Sequence, residues 1–150
     1  MELLYILGLG WILFLVYKFY LKPVKTYENV VARGFFNRLI GMKGKEKQVY
    51  LNALENISLS ENERRDLMFI VGTWYANNNN CSKAIRYYED AFQDFNENFH
   101  YKKEFHKVID SYIKCNEKEK AKEVLKFFLD RKSFDKNFKQ LEKKYNNLVN

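Results

Sequence analysis

The sequence predicts an all-α chain: an apolar N-terminal transmembrane helix, then an α-solenoid of helical hairpins, closed by a C-terminal capping helix. Three observations predict it. Tyr75 and Ala84 stand nine residues apart, as do Tyr112 and Ala121, and the second pair follows the first by 37 residues, a period expected of stacked hairpins. From Tyr27 onward apolar residues keep an i, i+3, i+4 rhythm, and no apolar/polar alternation is bounded by hairpin-turn signals. Residues 3–21 are apolar at every position except Lys18. A chain of 150 residues with one Pro leaves about 125 beyond that segment, enough for one ordinary core.

The apolar segment has the length needed to cross about 30 Å of hydrocarbon as a helix. Glu2 opens it and no small-residue cleavage site closes it, so it reads as a retained anchor over residues 1–22 rather than a secretory signal. Tyr17, Phe19 and Tyr20 suit an interfacial aromatic belt. Lys18, Lys22, Lys25, Arg33 and Arg38 follow the segment as basic residues for a membrane surface. The positive-inside rule then predicts a single-pass protein, with its N-terminus outside and its C-terminal domain in the cytoplasm. Residues 18–47 carry eight Lys/Arg against two Asp/Glu, so most of the formal net charge of +7 lies here. Nucleic acid is not expected as a partner, because the basic excess is gathered beside the span.

Seven helices are expected after Pro23. Residues 23–64 form a basic hairpin, with Tyr27, Val30, Val31, Gly34, Phe35 and Leu39 on its first helix, a break at Gly41 to Gly44, and a second helix over about 45–57. Ser60 with Glu63 is a capping box for the third helix. Its stripe is Leu67, Ile70, Val71, Trp74 and Tyr75, and the run Asn77 to Asn80 ends it. Ala84 to Phe95 marks a fourth helix and Tyr101 to Tyr112 a fifth. Asn116 with Glu119 caps a sixth, carrying Ala121, Val124, Leu125 and Phe128. After Ser133, a helix with Phe134, Phe138, Leu141, Tyr145 and Leu148 against a polar outer face suits the cap over residues 133–150.

Met68, Val71, Gly72 and Tyr75, continued by Ala84, Tyr88 and Ala91, follow the tetratricopeptide signature W-x2-L-G-x2-Y and its A-x3-F extension. Phe105, Val108, Tyr112, Ala121 and Leu125 keep the spacing, with Ile109 in the small-residue place and Phe128 in that of the last alanine. Gly34, Gly41, Tyr50 and Ala53 fall 38 residues before Gly72, Asn79, Tyr88 and Ala91, although Arg33, Asn37 and Glu46 stand where apolar or small residues are expected. The chain therefore resembles the tetratricopeptide repeat family over residues 65–132, with a degenerate unit before them. Small residues matter because they let two helices approach closely. Ile109 and Phe128 predict a looser second hairpin, or one whose surface meets another element.

The resemblance implies a groove lined by the first helix of each repeat. Carried over, it would comprise Phe69, Thr73 and Asn77 from one repeat and Lys103, His106, Asp110 and Lys114 from the next. Lys103 with Lys107 would match the basic pair of the family's clamp for acidic tails, but Val31, Phe35 and Ile70 stand where that clamp needs Lys and Asn. His100 and His106, six apart, do not share a helical face as a metal pair would, and both read as ordinary helix residues. Cys81 and Cys115 lack CxxC spacing and read as free thiols. No phosphate loop, metalloprotease motif or nucleophile context is present. The expectation is no enzyme, metal or cofactor, but a membrane-anchored adaptor presenting a groove to a protein or peptide partner. The alternatives are a structural subunit of a larger membrane complex, and binding of anionic lipid or nucleic acid through the basic stretch.

Overall fold

A computed structural model describes residues 2–18 and 23–149. All regular structure among them is helical, and the chain divides into two compact units, residues 1–63 and 64–150.

In the first unit, α1 (Glu2–Val16) is apolar on every side and its described side chains are exposed except Leu15, which is half-buried. It corrects the expected anchor. At 15 residues it rises only about 22 Å, and the backbone then loosens into a π turn at Tyr17 and Lys18. No helix among the described residues is long and apolar enough to cross a membrane. The single-pass topology, the outward N-terminus and the cytoplasmic placement of the rest lose their basis with it. Phe19, Tyr20, Leu21 and Lys22, on which the span and part of its aromatic belt rested, lie outside the described residues.

A hairpin follows, α2 (Tyr27–Leu39) with α3 (Lys43–Asn56). Gly34 permits its close approach: a Cβ there would lie 2.2 Å from the Tyr50 ring. Asn37 and Glu46, unexpected in a core, are both buried. Glu46 is answered by Arg38, whose Nη2 lies 2.5 Å from its carboxylate. Burial works against the Arg38 charge, but the hydrogen bond and attraction of Glu46 outweigh it and raise the guanidinium pKa. Arg38 is thus engaged within the hairpin, Arg33 is half-buried, and Lys18 and Lys25 are exposed.

The second unit contains α4 (Glu61–Asn77) from Arg64 onward, α5 (Cys81–Phe92), α6 (His106–Lys114), α7 (Lys118–Leu129), α8 (Lys139–Lys144) and α9 (Asn146–Val149). The Ser60–Glu63 capping box forms at the start of α4: the Ser60 amide donates to Glu63 at 2.7 Å and the Glu63 amide to Ser60 Oγ at 3.4 Å. Gly72 meets Tyr88 as Gly34 meets Tyr50, with a Cβ there only 2.7 Å from the ring. Ile109 and Phe128, the bulky departures, are both fully buried. Phe128 stacks on Phe105 at 4.8 Å and reaches Phe138, so its surface does meet another element.

Three turns close three hairpins in the same way. Gly41, Asn79 and Asn116 have φ of 78°, 57° and 63°, a left-handed conformation open to Gly and tolerated by Asn. The amide of the next residue then reaches back across the turn in each case, Met42 to Asn37 O at 2.8 Å, Asn80 to Tyr75 O at 3.0 Å and Glu117 to Tyr112 O at 2.9 Å. A second bond, spanning three residues, runs from the amides of Gly41, Asn79 and Asn116 to the carbonyls of Arg38, Ala76 and Ile113, completing the Schellman pattern. Asn116 is therefore the terminator of α6 rather than the cap of α7, whose N-cap is Glu117. The expected helix over 133–150 is broken into a 3-10 turn (Lys136–Phe138), α8 and α9, with Phe134 exposed. Phe138, Leu141 and Tyr145 nevertheless repeat the buried Phe105, Val108 and Tyr112 at a constant offset, each set opening on a 3-10 turn.

Residues 93–102 join α5 to α6 without regular structure and hold an aromatic core together with the helices. Phe99 touches Phe92, Phe105, Phe127, Phe128 and Phe138 at 5.4–6.2 Å. Arg131 fixes this link by donating to the Phe95, Glu97 and Phe127 carbonyls and lying 4.0 Å over the Phe127 ring.

Candidate functional site

The apolar stripe of α6, Val108, Ile109 and Tyr112, is buried. Its polar residues flank that stripe: His106, Lys107 and Asp110 are half-buried, Lys114 is exposed, and Ser111 is buried beside them. With Asn77 and Asn79 from the end of α4 and the turn after it, these residues line a cavity of about 280 Å³. Asn77, His106, Asp110 and Lys114 of the expected groove are thereby brought together.

The other three expected residues sit elsewhere. Phe69 is buried in the aromatic core, 5.7 Å from Tyr88 and 5.3 Å from Phe105. Thr73 is half-buried and accepts a hydrogen bond from the Tyr88 phenol at 3.3 Å. Lys103 lies in the 3-10 turn before α6 with its side chain exposed, and only its carbonyl enters the arrangement, 2.5 Å from His106 Nδ1. A carbonyl only accepts, so Nδ1 carries the proton and, in the neutral ring, Nε2 is left as an acceptor.

Charge in the cavity is arranged asymmetrically. Asp110 accepts from the Tyr145 hydroxyl at 2.6 Å and pairs with Lys144 at 3.1 Å. The same hydroxyl lies 2.9 Å from the His106 carbonyl, so its one proton is shared between the two acceptors and ties the end of α8 to the site. Burial, then the hydrogen bond to Asp110 and its charge, push the Tyr145 phenol well above the usual range. The single carboxylate among the lining residues is thus answered from outside, whereas Lys107 reaches Asn77 Oδ1 and Lys114 reaches Asn79 Oδ1 at 3.5 Å. Two lysines stand against one carboxylate among the lining residues, with amide and imidazole groups beside them, a set suited to carboxylates and backbone carbonyls of an extended chain.

Cys81 lines the same cavity and corrects the free-thiol expectation: it is disulfide-bonded to Cys115, with Cα atoms 5.9 Å apart. The bond fastens the start of α5 to the end of α6 and so fixes one wall of the site. His100 is not a helix residue either. It is exposed in the α5–α6 link, beside Phe134 at 5.0 Å and Asp135 at 3.7 Å. Among the described residues no group of three His, Cys, Asp or Glu is placed to hold a metal ion.

The tetratricopeptide resemblance pointed to Asn77, His106, Asp110 and Lys114 but not to Asn79, Cys81 or Ser111. Asn79 enters because its left-handed turn conformation directs it there, and Cys81 because a long-range bond draws it in. Ser111 had a usable signal, since it lies four residues after Lys107, whose carbonyl it bonds at 2.7 Å. No protein-family model, no curated protein and no solved structure matches this chain.

Proposed function

We propose that the chain is a protein-interaction module of the tetratricopeptide kind, whose α4–α6 face receives an extended, acidic peptide segment of a protein partner. The observation that carries this reading is the meeting of Asn77, His106, Lys107 and Lys114 around one concavity. Recurrence of the same left-handed turn after α2, α4 and α6 supports the repeat reading, because each repeat of such a family closes its hairpin by the same local device. The structural-subunit alternative loses its motive: Ile109 and Phe128, which it would turn toward neighbours, are enclosed by this chain.

The test is binding of fluorescent peptides to the full chain, comparing acidic, neutral and basic sequences of equal length. Acidic peptides are expected to bind tightest. Lys107→Glu combined with Lys114→Glu should weaken them by at least about tenfold while the melting temperature stays within a few degrees. Equal affinity for all three peptides, or indifference to the double reversal, rejects the reading.

A further inference from the structure

A second concavity lies in the same unit on different residues. It runs between α5 and α7, is floored by Val108 and Tyr112 of α6, and has a volume of about 360 Å³. Its walls are apolar, with Phe92 from α5 and Val124 and Phe127 from α7 all half-buried rather than closed over. Its lining charges are all negative: Glu89 and Asp90 on α5 and Glu123 on α7, each exposed. Lys120 stands beside this rim, but it is held between two carboxylates, 3.5 Å from Glu89 and 3.1 Å from Glu117. Glu89 also accepts from the Tyr112 hydroxyl at 3.4 Å, which keeps its carboxylate over the cleft. The Tyr112 phenol is raised first by burial and then by the charge of Glu89.

An acidic rim over an apolar floor is unusual on a chain whose net charge is +7. The chain as a whole repels cations, so attraction of a basic ligand here has to be local. We propose that the cleft between α5 and α7 is a second docking site, for a basic amphipathic helix of a protein partner. The occupant follows from the complementarity. A helix laid between two helices presents an apolar stripe at i, i+3, i+4 and i+7, of which one or two side chains enter between the Phe92, Val124 and Phe127 walls. Lys or Arg on its flanks then meets Glu89 and Asp90 on one side and Glu123 on the other. The volume is at the small end of ligand pockets, which suits one or two side-chain anchors better than a whole small molecule. An acidic segment suits the α4–α6 cavity and is opposed here, so two chemically different segments are sorted to two sites.

The test uses the full chain and two synthetic helical probes, a Lys/Leu peptide with Leu at i, i+3, i+4 and i+7, and its Glu/Leu counterpart. Binding is followed by fluorescence anisotropy at physiological salt. The Lys/Leu peptide should bind, and Asp90→Lys or Glu123→Lys should each weaken it about fivefold or more, with the pair weakening it further. Lys107→Glu, in the other cavity, should leave it unchanged. Both reversed residues are exposed, so loss of folding does not confound the result, and circular dichroism of each variant verifies this. Equal binding of the Glu/Leu peptide, or Lys/Leu binding untouched by both reversals, overturns the proposal. A chain that binds the Lys/Leu peptide but no acidic peptide would reject the α4–α6 reading and leave this one standing.

Discussion

Gly72 shows what one missing methyl does. A Cβ there would lie 2.7 Å from the Tyr88 ring and 3.2 Å from the Ala84 carbonyl oxygen, and the carbonyl belongs to a helix that cannot swing aside. Alanine improves helix propensity by about 1 kcal/mol, but overpacking a closed contact costs about 1–3 kcal/mol. Gly72→Ala is therefore expected to lower stability by roughly 1 kcal/mol, seen as a lower denaturant midpoint. Gly44, also helical, has nothing within 4 Å of its absent Cβ, so Gly44→Ala should raise stability by up to about 1 kcal/mol. Opposite signs from one substitution type are the signature of close packing. If Gly72→Ala melts at or above the parent protein, the helices are not held at the distance described.

At the scale of elements, the turn positions were legible because their physics is local. A left-handed residue must be Gly or something close to it, so Gly41 and the Asn77 to Asn80 run marked their turns, whereas Asn116 suits a helix start as well as a left-handed stop and reads in the sequence as the former. The buried stripe of α6, Val108, Ile109 and Tyr112, was legible for the same reason, since helical spacing fixes a face. Phe69 was misjudged as a groove residue because α4 presents it to Tyr88, Phe92 and Phe105, contacts that only the packed unit supplies. Hydropathy counted the apolar residues of α1 but did not reveal where its α-helical pairing stops. The disulfide had no local signal at all. Cys81 and Cys115 are 34 residues apart and meet only because α6 packs beside α5. Closing a loop of that length removes chain entropy worth about 4 kcal/mol from the unfolded state. Cys81→Ser with Cys115→Ser, or reduction with dithiothreitol, should lower the melting temperature of the second unit by more than about ten degrees. Unchanged melting under reductant would mean that the two thiols are not joined.

Across the whole molecule, the tyrosines report how much of the fold must open together. Tyr50 in the first unit and Tyr88, Tyr112 and Tyr145 in the second are all buried, and in each case burial is the leading cause that raises the phenol above its usual range. Neighbouring carboxylates reinforce it, Glu46 for Tyr50, Asp110 for Tyr88 and Tyr145, and Glu89 for Tyr112. Because the folded pKa lies above the unfolded value, near 10, the unfolded chain loses these protons first as pH rises. Their contribution to stability is therefore complete below about pH 10 and is lost progressively above it, at about 1.4 kcal/mol per pH unit for each phenol still protonated in the folded state. Three such groups make the decline of the second unit steep, and an alkaline titration should show a cooperative loss of its helical circular dichroism that coincides with a late rise in phenolate absorbance. Tyr145→Phe should make the decline shallower by one group's share. Phenolate absorbance that reaches its full value while the helical signal is intact would show that these rings are open to solvent, and with them the cores around Gly34 and Gly72.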